Sequence, residues 1–195
     1  MSFIRCFVSG VGLAWGCSHP SAAQPVPPPR GVQVALPASL LALEQANGVG
    51  PLVFGRLLPT LLEEVSACRV VAGERVACQA AGYTVALDSL RLTGPTLLSY
   101  TGRLYGIYLP PCRAADTPAL QRWLRQHYGP GQALGQGQRL WQGPRVSVVY
   151  EPVLTGTRTP RSRGTSLQVQ GIVGVLSTAI LAQAQADRAV LRALK

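Results

Sequence analysis

The stretch Thr117-Pro-Ala-Leu-Gln-Arg-Trp-Leu-Arg-Gln-His-Tyr-Gly-Pro130 decides how the chain is read. Thr117 stands at the N-cap, and Pro118 takes the first helical position, where its missing N–H costs nothing. Gly129 ends the run just before Pro130. Leu120, Trp123, Leu124, His127 and Tyr128 recur at helical spacing on one side, with Arg122, Arg125 and Gln126 largely opposite. A helix over Thr117–Tyr128 follows, with one apolar face that needs a partner.

That partner lies in the flanking strand-like runs. Upstream, Tyr83, Val85 and Leu87 alternate with Thr84 and Ala86, Thr96 to Tyr100 reads as a strand, and a Gly102-Arg103 turn leads into Leu104 to Leu109. Downstream, a glycine- and glutamine-rich loop precedes strands at Arg139 to Gln142, Arg145 to Glu151 and Thr165 to Gln170. Ser39 to Asn47, stopped by Gly48, reads as a short helix, and Leu52-Val53-Phe54-Gly55 as a short strand with a turn. Thr60-Leu61-Leu62-Glu63 is a capping box, starting a helix whose apolar face, Leu61, Leu62 and Val65, ends near Cys68. Val173 to Leu194 reads as a long terminal helix. Its apolar run, Ile172 to Ala182, falls short of the ~20 residues a bilayer core demands and serves core packing, a dimer seam or a membrane-surface face. Two helix-then-strands units, Thr60 to Leu109 and Thr117 to Gln170, make the expected class α+β: an antiparallel sheet with helices on one face.

The N-terminus has a different character. Arg5 precedes a weakly apolar stretch from Cys6 to Gly16, and Ser21-Ala22-Ala23 places small residues where a signal peptidase cuts. Residues 1–23 are therefore expected to be a signal peptide, with lipidation at Cys17 as the alternative fate of that segment. Residues 24–37 form a Pro-rich linker that begins Gln-Pro-Val-Pro-Pro-Pro-Arg, and 38–195 form a single α+β domain. Removing the signal leaves roughly 170 residues, enough for a self-sufficient core. No transmembrane segment is expected in the remainder. The predicted location is periplasmic or secreted.

The sequence has 18 Lys and Arg against 8 Asp and Glu, a net charge of +10, and its single lysine is Lys195. The arginine skew fits a GC-rich coding sequence, and the basic balance favours anionic envelope components or an acidic protein as partners. Nucleic acid is not expected, since no aromatic-basic recognition motif is present. Cys68 and Cys78 flank a segment with Gly73 near its middle, which suits a turn closed by a disulfide. Cys112 is then left over, and its pairing with either cysteine is the alternative.

Phe54-Gly55 ahead of a capped helix, a Gly-Arg turn into Leu104-Tyr105-Gly106-Ile107, and a helix closed by Tyr128-Gly129 with Trp141 in the next strand carry a resemblance. The order resembles small exported bacterial proteins of uncharacterised function and the tandem units of the β-lactamase-inhibitor-like fold, over Leu52 to Gln170. The resemblance implies a binding role and transfers no site residue.

Motifs for chemistry are few. There is no Gly-x-Ser-x-Gly elbow, and a lone C-terminal lysine rules out a Ser-x-x-Lys pair. His127 is the single histidine after the signal, and it sits in the apolar stripe of its helix, so packing is its expected role. The spacing of Cys68 and Cys78 is not that of a zinc finger. Asp88, Asp116, Glu151 and Asp187 are scattered. No catalytic, cofactor-binding or metal residue is assigned, and no cofactor is expected.

Two features remain as candidate binding elements. Arg158, Arg161 and Arg163 stand among hydroxyls in one loop with no acidic residue between them, and guanidinium groups clamp phosphate or carboxylate. Tyr83, Tyr105, Tyr108 and Trp141 would form an aromatic binding face if the fold exposes them together. The expected function is that of an exported, non-catalytic binding or adaptor protein. The alternatives are an envelope enzyme acting on a polymer or small ligand, and a basic structural protein adhering to anionic envelope material.

Overall fold

The computed structural model describes residues 31–58, 66–158 and 165–193. The expected signal peptide, the first half of the linker and the capping box at Thr60 lie outside them. The fold is α+β, strand-rich and largely antiparallel. Its main sheet has eight strands in the order β10-β11-β12-β13-β9-β8-β5-β4. These are β4 (Ser66–Ala72), β5 (Arg75–Gln79), β8 (Thr96–Tyr100), β9 (Arg103–Tyr108), β10 (Gln132–Gly135), β11 (Gln138–Gln142), β12 (Val146–Arg158) and β13 (Thr165–Ser177). A second sheet sets β1 (Val32–Ala35) parallel to β6 (Tyr83–Leu87), which pairs antiparallel with β7 (Leu90–Thr93). The short pair β2 (Gly48–Val49) and β3 (Leu52–Val53) joins α1 (Leu40–Ala46) to the main sheet.

Strand β1 corrects the C-terminal part of the linker. Val32 to Ala35 pair with Tyr83 to Ala86, and Val34 is buried, because a parallel neighbour satisfies the backbone of a segment read as a tether.

Helix α2 (Thr117–Tyr128) forms where expected, with Pro118 in its first turn and Gly129 as its C-cap. Its cap differs in detail. Asp116 holds the N-cap position, and Thr117 is the first helical residue. The Thr117 hydroxyl turns inward instead, donating to Val169 O at 3.2 Å and accepting from Gly171 N at 3.2 Å. It is a tie between helix and sheet.

Leu120, Trp123 and Leu124 of α2 pack with Val148, Tyr150, Val173 and Val175 on one face of the main sheet, in a core that also takes Leu43 of α1 and Val85 of β6. The residues between them face the other way, as the two-residue period of a strand demands. On that second face Leu176, Tyr100 and Tyr105 meet Ile180, Leu181 and Ala184 of α3 (Thr178–Ala193). Helices therefore cover both faces, and the expectation of helices on one face does not hold. The central strands are apolar on both sides, so each side needs a cover.

The same fact explains the late start of α3. Val173 to Ser177, read as helix, are buried strand, since a continuous apolar run does not by itself distinguish the two. Ser66 to Cys68, read as the end of a helix, belong to β4, and Gln132 to Gly135 of the glycine-rich loop form β10.

Candidate functional site

Strands β12 and β13 pair over thirteen positions, from Val146↔Ser177 to Arg158↔Thr165. Their neighbours stop much earlier. β11 pairs with β12 only as far as Tyr150, and β9 with β13 only as far as Gly174. Beyond those points the hairpin runs on as a two-stranded ribbon for roughly 20 Å.

The root of the ribbon is tied down. Cys112 N donates to Gly171 O at 3.1 Å, Leu109 N to Val173 O at 2.8 Å, and Thr117 to Val169 as above. A methyl on Gly171 would lie 2.8 Å from Tyr150 Cε2 and 3.0 Å from Leu120 Cδ2, so the glycine lets ring and helix close over the strand.

Past the root, Leu154 faces Val169 and Gly156 faces Leu167 on the side that carries Tyr150 and Val173 further in. The core stripe thus continues into solvent. Leu154 is 67% exposed, Leu167 68% and Val169 43%. The opposite side pairs Val153 with Gln170 and Thr155 with Gln168. No charged residue occurs between Glu151 and Arg158 or between Thr165 and Ile172.

Arg158 is the last residue of β12. Arg161 and Arg163 lie outside the described residues, in the six-residue connection between the strands. Connectivity alone puts the three arginines at one end of the hairpin, and no acidic residue occurs between Glu151 and Asp187.

The aromatic quartet does not make one exposed face. Tyr83, Tyr105 and Trp141 are each 5% exposed. Tyr83 and Trp141 belong to the core under α2, whereas Tyr105 and Tyr108 face α3. Trp141 donates its indole N–H to Gly129 O at 2.9 Å, and burial pushes the Tyr105 and Tyr108 hydroxyls up in pKa. The rings come from three strands in two sheets, and they are divided between two separate apolar clusters.

A groove of about 460 Å³ lies between β7 and the segment Pro110–Asp116, lined by Ser89, Arg91, Thr93, Pro111 and Arg113 among others. A 170 Å³ hollow beside it is lined by Asp88, Ser89, Arg122, Trp123 and Gln126. Arg113 pairs with Asp116 at 2.7 Å, and Arg91 donates to the carbonyls of Asp88 and Leu90, so both guanidinium groups are engaged at home. The indole N–H of Trp123 is buried without a hydrogen-bond partner, its ring against His127 and Tyr128.

His127 and Cys112 are engaged in the fold. His127 stacks on Trp123 at 4.4 Å, and its Nδ1 faces Ala38 O at 3.1 Å, so that nitrogen carries the proton. Tyr128 beside it donates to Pro37 O at 2.7 Å, and burial raises its pKa. The end of α2 thereby holds the chain entering α1. Cys112 is free and 2% exposed, 3.4 Å from the Thr117 hydroxyl. The disulfide joins Cys68 to Cys78 across the β4–β5 hairpin as expected. Among the described residues no group of three or more His, Cys, Asp or Glu side chains is arranged to hold a metal ion, and no helix there is long and apolar enough to cross a membrane.

Sequence reasoning picked out the arginines of the hairpin and missed Leu154, Leu167 and Val169. Their alternation was visible, but their exposure depends on where β9 and β11 end. Comparison with family models, with curated proteins and with solved structures gives no match.

Proposed function

We propose that the chain is an exported, non-catalytic binding protein of the bacterial cell envelope, and that the end of the β12–β13 hairpin is its binding element. In this reading Arg158, Arg161 and Arg163 take a phosphate- or carboxylate-bearing envelope component through charge-assisted hydrogen bonds. The observation that carries it is the ribbon itself. It runs past its neighbouring strands as far as Arg158, and the six-residue connection that follows in the sequence contains Arg161 and Arg163, with no acidic residue from Pro152 to Ala186. Surrounding charge of one sign draws anions in and leaves no internal competitor.

Export is supported by Arg5, the apolar stretch to Gly16 and Ser21-Ala22-Ala23, together with a cystine of the kind that persists in oxidising compartments. A non-catalytic role is supported by His127 and Cys112, both engaged in packing and hydrogen bonds.

The test is a triple substitution, Arg158→Gln, Arg161→Gln and Arg163→Gln. Binding to a phosphate polymer in low salt should weaken and lose its steep salt dependence. Thermal stability should hold to within ~0.5 kcal/mol, as it does for exposed sites away from caps and cores. Unchanged binding in low salt would overturn the reading.

A further inference from the structure

The arginines account for the charge of the hairpin but not for its apolar side. Leu154, Leu167 and Val169 form one contiguous aliphatic stripe, contributed by both strands and continuous with the buried Tyr150 and Val173. Side chains so placed in water favour any surface that removes them from it. We infer that this stripe of Leu154, Leu167 and Val169 seats in the interfacial layer of an anionic lipid bilayer, to which the basic charge of the chain draws it. The inference rests on the hairpin being the binding element and names the surface it binds.

Four features favour lipid over other occupants. The ribbon carries no charge between Glu151 and Arg158 or between Thr165 and Ile172, so entering the acyl boundary desolvates no ion there. A soluble polyanion would engage the arginines and leave the leucines in water. A second copy would bring together two strongly basic molecules. The stripe exposes on the order of a few hundred Å², against ~800 Å² per partner in a standard protein interface. A bilayer sets no such minimum, because apolar burial and attraction to anionic headgroups add together.

The experiment uses the protein with its disulfide intact and vesicles of phosphatidylcholine, with and without phosphatidylglycerol, in a co-sedimentation assay. The chain should bind the mixed vesicles and leave pure phosphatidylcholine largely unbound. The variant Leu154→Ser, Leu167→Ser, Val169→Ser should lose at least tenfold in vesicle affinity while binding a phosphate polymer as the parent does. A separate variant, Leu154→Trp, should shift its emission to shorter wavelength on mixed vesicles. That measurement decides the matter if the serine variant fails to fold by near-ultraviolet circular dichroism. Equal vesicle binding by a folded serine variant overturns the inference, as does a Leu154→Trp emission that ignores bound vesicles. A concentration-dependent dimer abolished by the serine substitutions also overturns it, assigning the stripe to a second copy. These outcomes leave the arginine reading standing, which fails only if the glutamine variant keeps its binding to the phosphate polymer.

Discussion

The carboxylate of Glu44 accepts the backbone N–H of Val146 at 2.7 Å across 102 positions of sequence, and that of Arg145 at 2.9 Å. Glu44 is 8% exposed, on the inner side of α1, and the two amides are those where β12 begins. Gly143 makes the approach possible, since a methyl there would lie 1.9 Å from Glu44 Oε1. This contact fixes α1 against the root of the strand that becomes the ribbon.

Glu44→Ala should therefore destabilise the protein by about 1–3 kcal/mol, the cost of leaving buried donors without an acceptor. Gly143→Ala should be severe alone and much milder in the Glu44→Ala background, because the clash is with the carboxylate. Urea denaturation of the two single variants and the double variant measures the coupling. Additive effects would show that Gly143 is required for some other reason.

Replacing Cys68 and Cys78 with serine should cost about 2–3 kcal/mol, through the freedom a short closed loop denies the unfolded chain. The fold should remain recognisable by circular dichroism, since the β4–β5 pair keeps its ladder with β8. Peptide mapping without reduction should find Cys112 as a free thiol. A major species bridged through Cys112 would refute the pairing.

The Tyr100 hydroxyl donates to the Asp187 carboxylate, tying β8 to α3. That hydrogen bond, with burial next in importance, pushes the Tyr100 pKa up to about 12. A pKa raised on folding means that the folded state holds the proton more tightly. Its stabilising contribution is complete below the unfolded value near 10 and is lost as pH rises through 12. Tyr100→Phe should remove this part of the alkaline loss. Denaturation curves for both proteins from pH 9 to pH 12 should converge at the alkaline end, and a constant gap would count against the linkage.

Thr117→Val keeps the shape of the side chain and removes the hydroxyl that bridges Val169 O and Gly171 N. We expect a loss of about 1–3 kcal/mol, with Gly171 N left unsatisfied in a buried site. Amide hydrogen exchange should quicken first at Val169 to Gly171, at the root of the ribbon. Uniform acceleration across the sheet would instead indicate a general loss of packing.

Local chemistry explains what was readable from residues alone. Pro118 and Gly129 bracket α2 because φ and N–H requirements act at single positions. The alternation of Tyr83, Val85 and Leu87 reports a strand with one buried face, and it forms β6. Ser39 caps α1 by accepting from Ala42 N. Val173 to Ser177 failed as a reading because a segment buried on both faces carries no period. Tyr83, Tyr105, Tyr108 and Trp141 failed as a face because they belong to strands of two different sheets, and the order of strands within a sheet is set by long-range pairing.

The amino-acid sequence by itself determined the α+β class, helix α2, the β6, β8 and β9 strands, the Cys68–Cys78 pairing and the run of arginines from Arg158 at the end of β12 to Arg163. Each depends on residues close together in the chain, whose backbone preferences or short spacing act locally. Tertiary structure alone decided that helices cover both faces of the sheet and that Glu44 meets Val146. It also decided that Leu154, Leu167 and Val169 stand in the open. Those outcomes depend on which strands become neighbours and where their ladders stop, a competition among long-range pairings that no local window contains.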